Sequence, residues 1–494
     1  MAVSVASFTF ACVLLIALAW VRRWRKLRAR RLGLPYPPGP EPLPVIGNLK
    51  DFDIEHATET YYKWSQKYGE LVYINVLGRD MIFINSSKVA DDLFEKRMGW
   101  GWTFGMMRYG ETWRKHRRMF ESQFKPSSTR AYWPIMATQT HMLLRRLLDS
   151  PDDLDEHLRH NAASTIMKLI YGIDIAPKND RYVAIAEEAL MALGQAAAPG
   201  AFLVDLLPIL KYVPAWMPGA GFKRKAAQWK KTLYEMRDAP FEATRGPAQP
   251  CFVTSALNNI DQKGDIDEQM TLVKQCAGMA YAAAAESMVA SLTSFILAMT
   301  LFPEIQEKAQ RELDAVIGSR LPEFTDRPQL PYIDAILREV MRWYPVTPSG
   351  MPHMTTEDDV YNGYFIPAGT AVFGNTWAIL HDPEVYPEPM KFKPERYLTE
   401  DGKGFNSTPE PLSAFGYGRR ICAGRHMADA MLWMSVASIL ACFRMTPCLD
   451  EHGKPIPVKP EFTTGAICAP LPFKCSIKPR SEAFRRVIAE TAFL

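Results

Sequence analysis

FGYGRRICAGRH, residues 415–426, sets a single cysteine, Cys422, among three glycines and three arginines. A thiolate is a strong ligand for soft or electron-rich metal centres, and neighbouring positive charge and backbone N–H groups favour the deprotonated form. The glycines let the backbone wrap closely around whatever the sulfur holds, an arrangement suited to a planar cofactor pressed against a loop. Two other fates are open to such a residue. Free cysteines are most often buried and inert, and a nucleophilic cysteine wants a paired histidine, here His426, although no third orienting group is evident. Zinc is disfavoured because no second cysteine pair exists. Gly416 with Gly418 makes only a fragment of a dinucleotide fingerprint.

Around this stretch, 494 residues leave room for one large enzyme domain or about three smaller ones. A formal net charge of +4 is too small to argue for nucleic acid as a partner. The placement of the charge is more telling. Val3 to Val21 carries none and is long enough to cross a bilayer as a helix, and residues 22–31, RRWRKLRARR, then hold seven basic residues. These flanks fit a retained, single-pass signal anchor over 1–21, in the endoplasmic reticulum membrane with the following chain cytosolic, and they invert those of a cleaved signal peptide. The basic and proline-rich stretch 22–48 predicts a semi-rigid spacer leading to a catalytic domain over 49–494. Eight cysteines without a CxxC pair fit a reducing compartment, so the sequons at Asn85 and Asn406 should stay unmodified.

Helix dominates the remainder. Residues 265–302 open with an Asp265-to-Glu268 capping pattern and run to Phe302 without a proline, one long, mostly apolar helix that belongs in the middle of a protein. Pro303 starts the next helix and Gly318 ends it. A third, over 331–345, places Ile333, Ile336, Leu337, Val340 and Tyr344 on one buried stripe. Residues 360–375 alternate and contain Asn362-Gly363, predicting a small β-hairpin.

At this point the sequence resembles the cytochrome P-450 superfamily. FGYGRRICAG matches the haem loop F-x-x-G-x-R-x-C-x-G at Phe415, Gly418, Arg420, Cys422 and Gly424. The resemblance implies a mainly α fold, a helix-rich haem domain with a small β-rich subdomain after an N-terminal transmembrane helix. It implies haem b, with Cys422 as the axial thiolate that pushes electron density toward iron-bound dioxygen. Arg420 would pair with a propionate and Phe415 would shield the sulfur. In LREVMRWYP, Glu339 and Arg342 lie at i, i+3, and the resemblance joins them with Arg396 of FKPERYL in a structural network behind the haem. Trp113 and Arg117 match the W-x-x-x-R signature whose side chains meet a propionate. His353 stands where relatives place a basic residue for the same task.

Two features depart from the family pattern. Where relatives show a small residue, glycine, any residue, an acid and threonine, this chain has Ala283, Ala284, Ala285, Glu286 and Ser287. Glu286 and Ser287 are expected to relay protons to iron-bound oxygen. Serine lacks threonine's β-branch, and Ala284 adds a methyl group where oxygen is received, so coupling of electron use to product should be weaker. The passage over 92–113 is also shorter than in relatives, which predicts an unusually open pocket or a lost exon. Phe104, Ala283, Ala284, Ser349 and Met351 are the expected pocket lining.

The resemblance therefore implies a membrane-bound haem-thiolate monooxygenase, most similar to fungal enzymes of terpenoid and polyketide metabolism, that hydroxylates or epoxidises a hydrophobic small molecule. No flavin or nicotinamide domain is legible, so NADPH electrons would arrive through a separate NADPH–cytochrome P-450 reductase. Basic residues near Cys422, with Arg425 and His426, offer that reductase a docking face. A haem-dependent isomerase or dehydratase, and a catalytically impaired remnant, are the alternatives.

Overall fold

The computed structural model describes residues 29–31, 33–53, 56–86, 107, 110–197, 212–218, 220–244, 250–464 and 467–493. The expected anchor, Phe104 and most of the short passage before Trp113 lie outside the described residues.

The longer helices are α1 (Ala57–Tyr68), α2 (Glu111–Phe124), α3 (Trp133–Asp149), α4 (Leu154–Tyr171), α5 (Arg181–Ala197), α6 (Gly221–Ala243), α7 (Ile266–Leu301), α8 (Pro303–Ile317), α9 (Pro331–Trp343), α10 (Arg425–Cys442) and α11 (Glu482–Glu490). The long α7 starts where the Asp265 carboxylate accepts the Glu268 N–H at 2.9 Å, as the capping pattern predicts. Its second half, Met288 to Thr300, is almost wholly buried. It packs with α3, α4, α9 and the apolar α10 in one continuous core. This helix is long and apolar enough to cross a membrane, but most of its apolar window is buried inside the protein, as a core helix is. Pro303 and Gly318 bound α8 as expected, Gly318 taking φ +63°.

The α9 stripe buries Ile333, Ile336, Leu337 and Val340, but not Tyr344. Tyr344 lies past the helix end, half-buried, with its ring stacked on Phe462 at 3.5 Å. Pro345 accounts for the difference, because the residue before a proline is pushed out of helical conformation.

The main sheet joins β1 (Leu71–Val76), β2 (Arg79–Ile84), β3 (His353–Met354) and β6 (Ala371–Gly374) in the order β1-β2-β6-β3, with β2 and β6 parallel. Between β3 and β6 stands the hairpin of β4 (Asp359–Tyr361) and β5 (Tyr364–Ile366), turning at Asn362 and Gly363 with φ +50° and +80°. A third pair, β7 (Phe443–Pro447) and β8 (Cys475–Pro479), follows α10.

The proline-rich stretch is no free spacer. Tyr73 N–H donates to the Pro38 carbonyl at 2.8 Å, Phe365 N–H to Pro35 at 2.9 Å, and Tyr36 stacks on Tyr73 at 4.5 Å. A side chain on Gly47 would run into the Asn75 carbonyl, so the backbones approach as only glycine permits. Prolines donate no hydrogen bond but their carbonyls accept, and residues 35–48 therefore finish the sheet edge and belong with the globule.

Candidate active site

Behind the loop, α9 and the turn at Pro394–Tyr397 bring Glu339, Arg342 and Arg396 together in the core, with 0%, 0% and 8% exposure. Arg342 grips Glu339 through Nε and Nη2, both at 2.8 Å, and its Nη1 donates to the Leu380 carbonyl. Arg396 donates to Glu339 and to the Pro387 carbonyl. The three side chains form one hydrogen-bonded network in which two buried cations share a single carboxylate, and backbone carbonyls take further guanidinium donors, as buried charge requires.

The loop itself turns at Gly416 and Gly418, with φ +87° and +52°, conformations that favour glycine. Cys422 N–H donates to the Phe415 carbonyl at 2.8 Å, closing the loop before α10 begins at Arg425. Phe415 thus acts visibly through its backbone. Gly424 lies under the sulfur, where a side chain would come within 3.9 Å of Sγ. The Cys422 side chain is open to accessible surface although protein surrounds it densely at longer range. Burial raises the bare thiol's pKa, while the Gly424 N–H, Arg117 and Arg425 pull it down.

Other elements converge on this loop. From α2, Arg117 Nη1 donates to the Ile421 carbonyl at 2.6 Å. The Arg420 guanidinium lies over the Trp113 ring at 4.5 Å and its Nη2 donates to the Met107 carbonyl. His353, in β3, has its pKa lowered to about 4, first by burial and then by the charge of Arg420. Both effects favour the neutral ring over the cation, and a neutral imidazole still offers an N–H donor for the task expected of His353.

In the middle of α7, Ala283 is exposed and Ala284 and Ser287 are half-buried, between the buried Tyr281 and Met288. Ser287 Oγ donates back to the Ala283 carbonyl at 2.9 Å and to that of Ala284 at 3.3 Å. Glu286 instead accepts from Arg159 of α4 at 3.2 Å and borders a cleft with Glu187 and Tyr281. Consecutive helix residues point about 100° apart, so the carboxylate and hydroxyl that adjoin in sequence are directed to different surroundings.

A family model described as Cytochrome P450 matches residues 37–476. The chain belongs to the cytochrome P-450 family. It is 40% identical to Cytochrome P450 monooxygenase ple1 of Rhodocybe pseudopiperita, over 92% of this chain and 91% of that one. It is 40% identical to Cytochrome P450 monooxygenase COX2 of Coprinopsis cinerea, over 94% and 93%. Tryptamine 4-monooxygenase of Psilocybe cyanescens is 37% identical over 94% of this chain and 96% of its own. The family binds haem through a cysteine thiolate, with NADPH electrons delivered by a reductase, and this cytochrome P-450 is a monooxygenase, an oxidoreductase.

The residues present in this cytochrome P-450 fit a haem. An accessible sulfur stands in a loop flanked by two guanidinium groups, an indole and a half-buried imidazole, which are donors suited to propionates. The cleft at Glu286 is a separate place from the expected substrate pocket: Ala283, Ala284, Ser349 and Met351 do not border it, and Met351 is 52% exposed. Sequence reasoning missed His116 and Gln275, which hydrogen-bond at 2.9 Å between α2 and α7. The position of His116 inside the W-x-x-x-R signature, beside Arg117, was the available signal.

Proposed function

We propose that Cys422 is the haem-iron ligand of a membrane-bound monooxygenase that hydroxylates or epoxidises a hydrophobic small molecule of terpenoid or polyketide kind. The convergence of Arg117, Trp113, Arg420 and His353 on the loop of an accessible cysteine carries the reading. When bound, haem supplies activation of dioxygen. Cys422 holds the iron, with the Gly424 N–H supporting the sulfur, and Gly418 lets the loop turn beneath it. Arg420, Arg117, Trp113 and His353 hold the propionates. Ser287 holds a proton at Oγ and must exchange its bond to the Ala283 carbonyl to deliver it, while Glu286, paired with Arg159, accepts protons from the cleft side. Ala283 and Ala284, with Ser349, Met351 and Phe104, would form the mostly apolar wall against which the substrate lies.

The apolar run from Val3 to Val21 and the basic residues after it support anchoring in the endoplasmic reticulum with the catalytic domain cytosolic. A separate reductase would dock where Arg425 and His426 flank the loop. The test is the reduced carbon-monoxide difference spectrum of the membrane-expressed protein beside Cys422→Ala. A thiolate-type Soret band lost in the variant supports the assignment; no haem signal from correctly inserted wild type overturns it. Turnover that persists without NADPH and reductase would favour an isomerase or dehydratase.

A further inference from the structure

His116 sits on α2 between Trp113 and Arg117, is 2% exposed, and engages both ring nitrogens. Nδ1 meets the Thr112 carbonyl at 2.8 Å, and since a carbonyl oxygen only accepts, that nitrogen carries a proton. Nε2 meets the side-chain carboxamide of Gln275, on α7, at 2.9 Å. The ring is therefore tied to its own helix on one side and to the central helix on the other. Turning α2 about its axis breaks the second bond and strands the buried imidazole nitrogen and the half-buried Gln275 amide, which is unfavourable. The neighbouring Lys115–Glu268 pair also links α2 to α7, but its partners are exposed and it holds the helix weakly.

The same short piece of α2 grips the Cys422 loop at two places. Arg117 donates to the Ile421 carbonyl, one residue before the cysteine, and Trp113 lies beneath Arg420, two residues before it. A rotation of α2 that leaves the fold intact displaces both groups together. We infer that His116 is a positioning residue for the haem site: its bond to Gln275 fixes the rotation of α2, and with it the placement of Arg117 and Trp113 against the loop. The inference rests on the assignment of Cys422 proposed above.

The test uses the full-length, haem-loaded protein as wild type, His116→Phe, Gln275→Leu, the double variant, and Lys115→Met as a control. Three properties are measured: the thermal unfolding midpoint, the rate of haem transfer to an excess of an apoglobin, and the reduction potential of the haem iron. His116→Phe and Gln275→Leu should each release haem roughly ten- to hundredfold faster, the range typical for loss of an outer partner of a metal site. The double variant should be no worse than either single one, because both remove the same bond. The potential should move in the same direction in all three, and Lys115→Met should match wild type. A purely structural role would lower the unfolding midpoint without moving the potential, and that result overturns the inference. Wild-type haem release in Gln275→Leu overturns it as well, and this variant decides alone if His116→Phe does not fold. A wild type without a thiolate-type spectrum sinks the underlying assignment instead.

Discussion

Arg396 Nε donates to both carboxylate oxygens of Glu339 at 3.1 Å, closing 57 residues of chain on a group with no exposed surface. Glu339 is the common counter-ion of two guanidinium groups, and its Oε1 also accepts the Lys393 N–H at 2.8 Å. Glu339→Gln keeps the shape but leaves two buried cations without their anion. A loss of about 3–5 kcal/mol is expected, the range for breaking a buried pair from one side. Denaturant unfolding of the haem-loaded protein checks it, and a loss under 1 kcal/mol would mean that the backbone carbonyls around the arginines suffice.

Ser287 bonds back onto its own helix through a hydroxyl whose rotamer is less restricted than that of threonine. Ser287→Thr is expected to lower the ratio of peroxide to product, and Ser287→Ala to raise it. Peroxide and product measured per NADPH consumed, in a reductase-reconstituted system, give the answer. An unchanged ratio in Ser287→Thr removes the hydroxyl from the coupling argument.

His381 is wholly buried, stacks on Trp377 at 3.9 Å and gives its Nδ1 hydrogen to the Trp377 carbonyl. Burial first, then the charges of Arg342 and Arg396, lower its pKa from 6.5 to about 3 against the opposing pull of two backbone hydrogen bonds. With the folded value depressed, the unfolded chain binds the extra proton first, so stability falls as pH drops from about 6.5 toward 3. The loss reaches up to about 5 kcal/mol at the acid end. His381→Phe should flatten that limb of the stability profile, and an identical acid limb in the variant would assign the loss to other groups.

Gly374, the last residue of β6, faces the Tyr417 ring, and a methyl group there would come within 2.4 Å of Cε2. Tyr417 lies in the Cys422 loop and shares a 3.0 Å hydrogen bond with Thr376 Oγ1. Gly374→Ala should cost about 1–3 kcal/mol through overpacking and reduce haem content by pushing the loop. Haem-to-protein ratio and unfolding midpoint measured together test this, and full haem content would show that Tyr417 can move aside freely.

What was legible in the sequence was local. The glycines of the Cys422 loop, the Asp265 cap, the Asn362-Gly363 turn and the i, i+3 spacing of Glu339 and Arg342 are each written within a few residues. The missing parts depend on distant chain. Backbone bonds from Pro35 and Pro38 to the sheet carry no side-chain signal, so a bound edge reads as a spacer. Glu286 and Ser287 look like one functional pair until Arg159, 127 residues away, shows which way the carboxylate is directed. The His116–Gln275 bond spans 159 residues, and neither side chain alone announces the other. Both sequon amides illustrate the same point. Asn85 donates to the Gly69 carbonyl, and Asn406 to those of Arg396 and Leu398, so their nitrogens are committed to the fold.

Arg30 pairs with Asp358, whose carboxylate also accepts the Ala368 N–H at 2.8 Å, so the described chain is fastened to the β-rich side from its first few residues. Only eight residues lie between Val21, where the apolar run ends, and Arg30 of this clasp. Even fully extended, they span no more than roughly 30 Å. For a chain anchored as proposed this is a short leash. It keeps the Asp358 side of the enzyme close to the lipid headgroups and presents that side first to whatever molecules the bilayer has already concentrated.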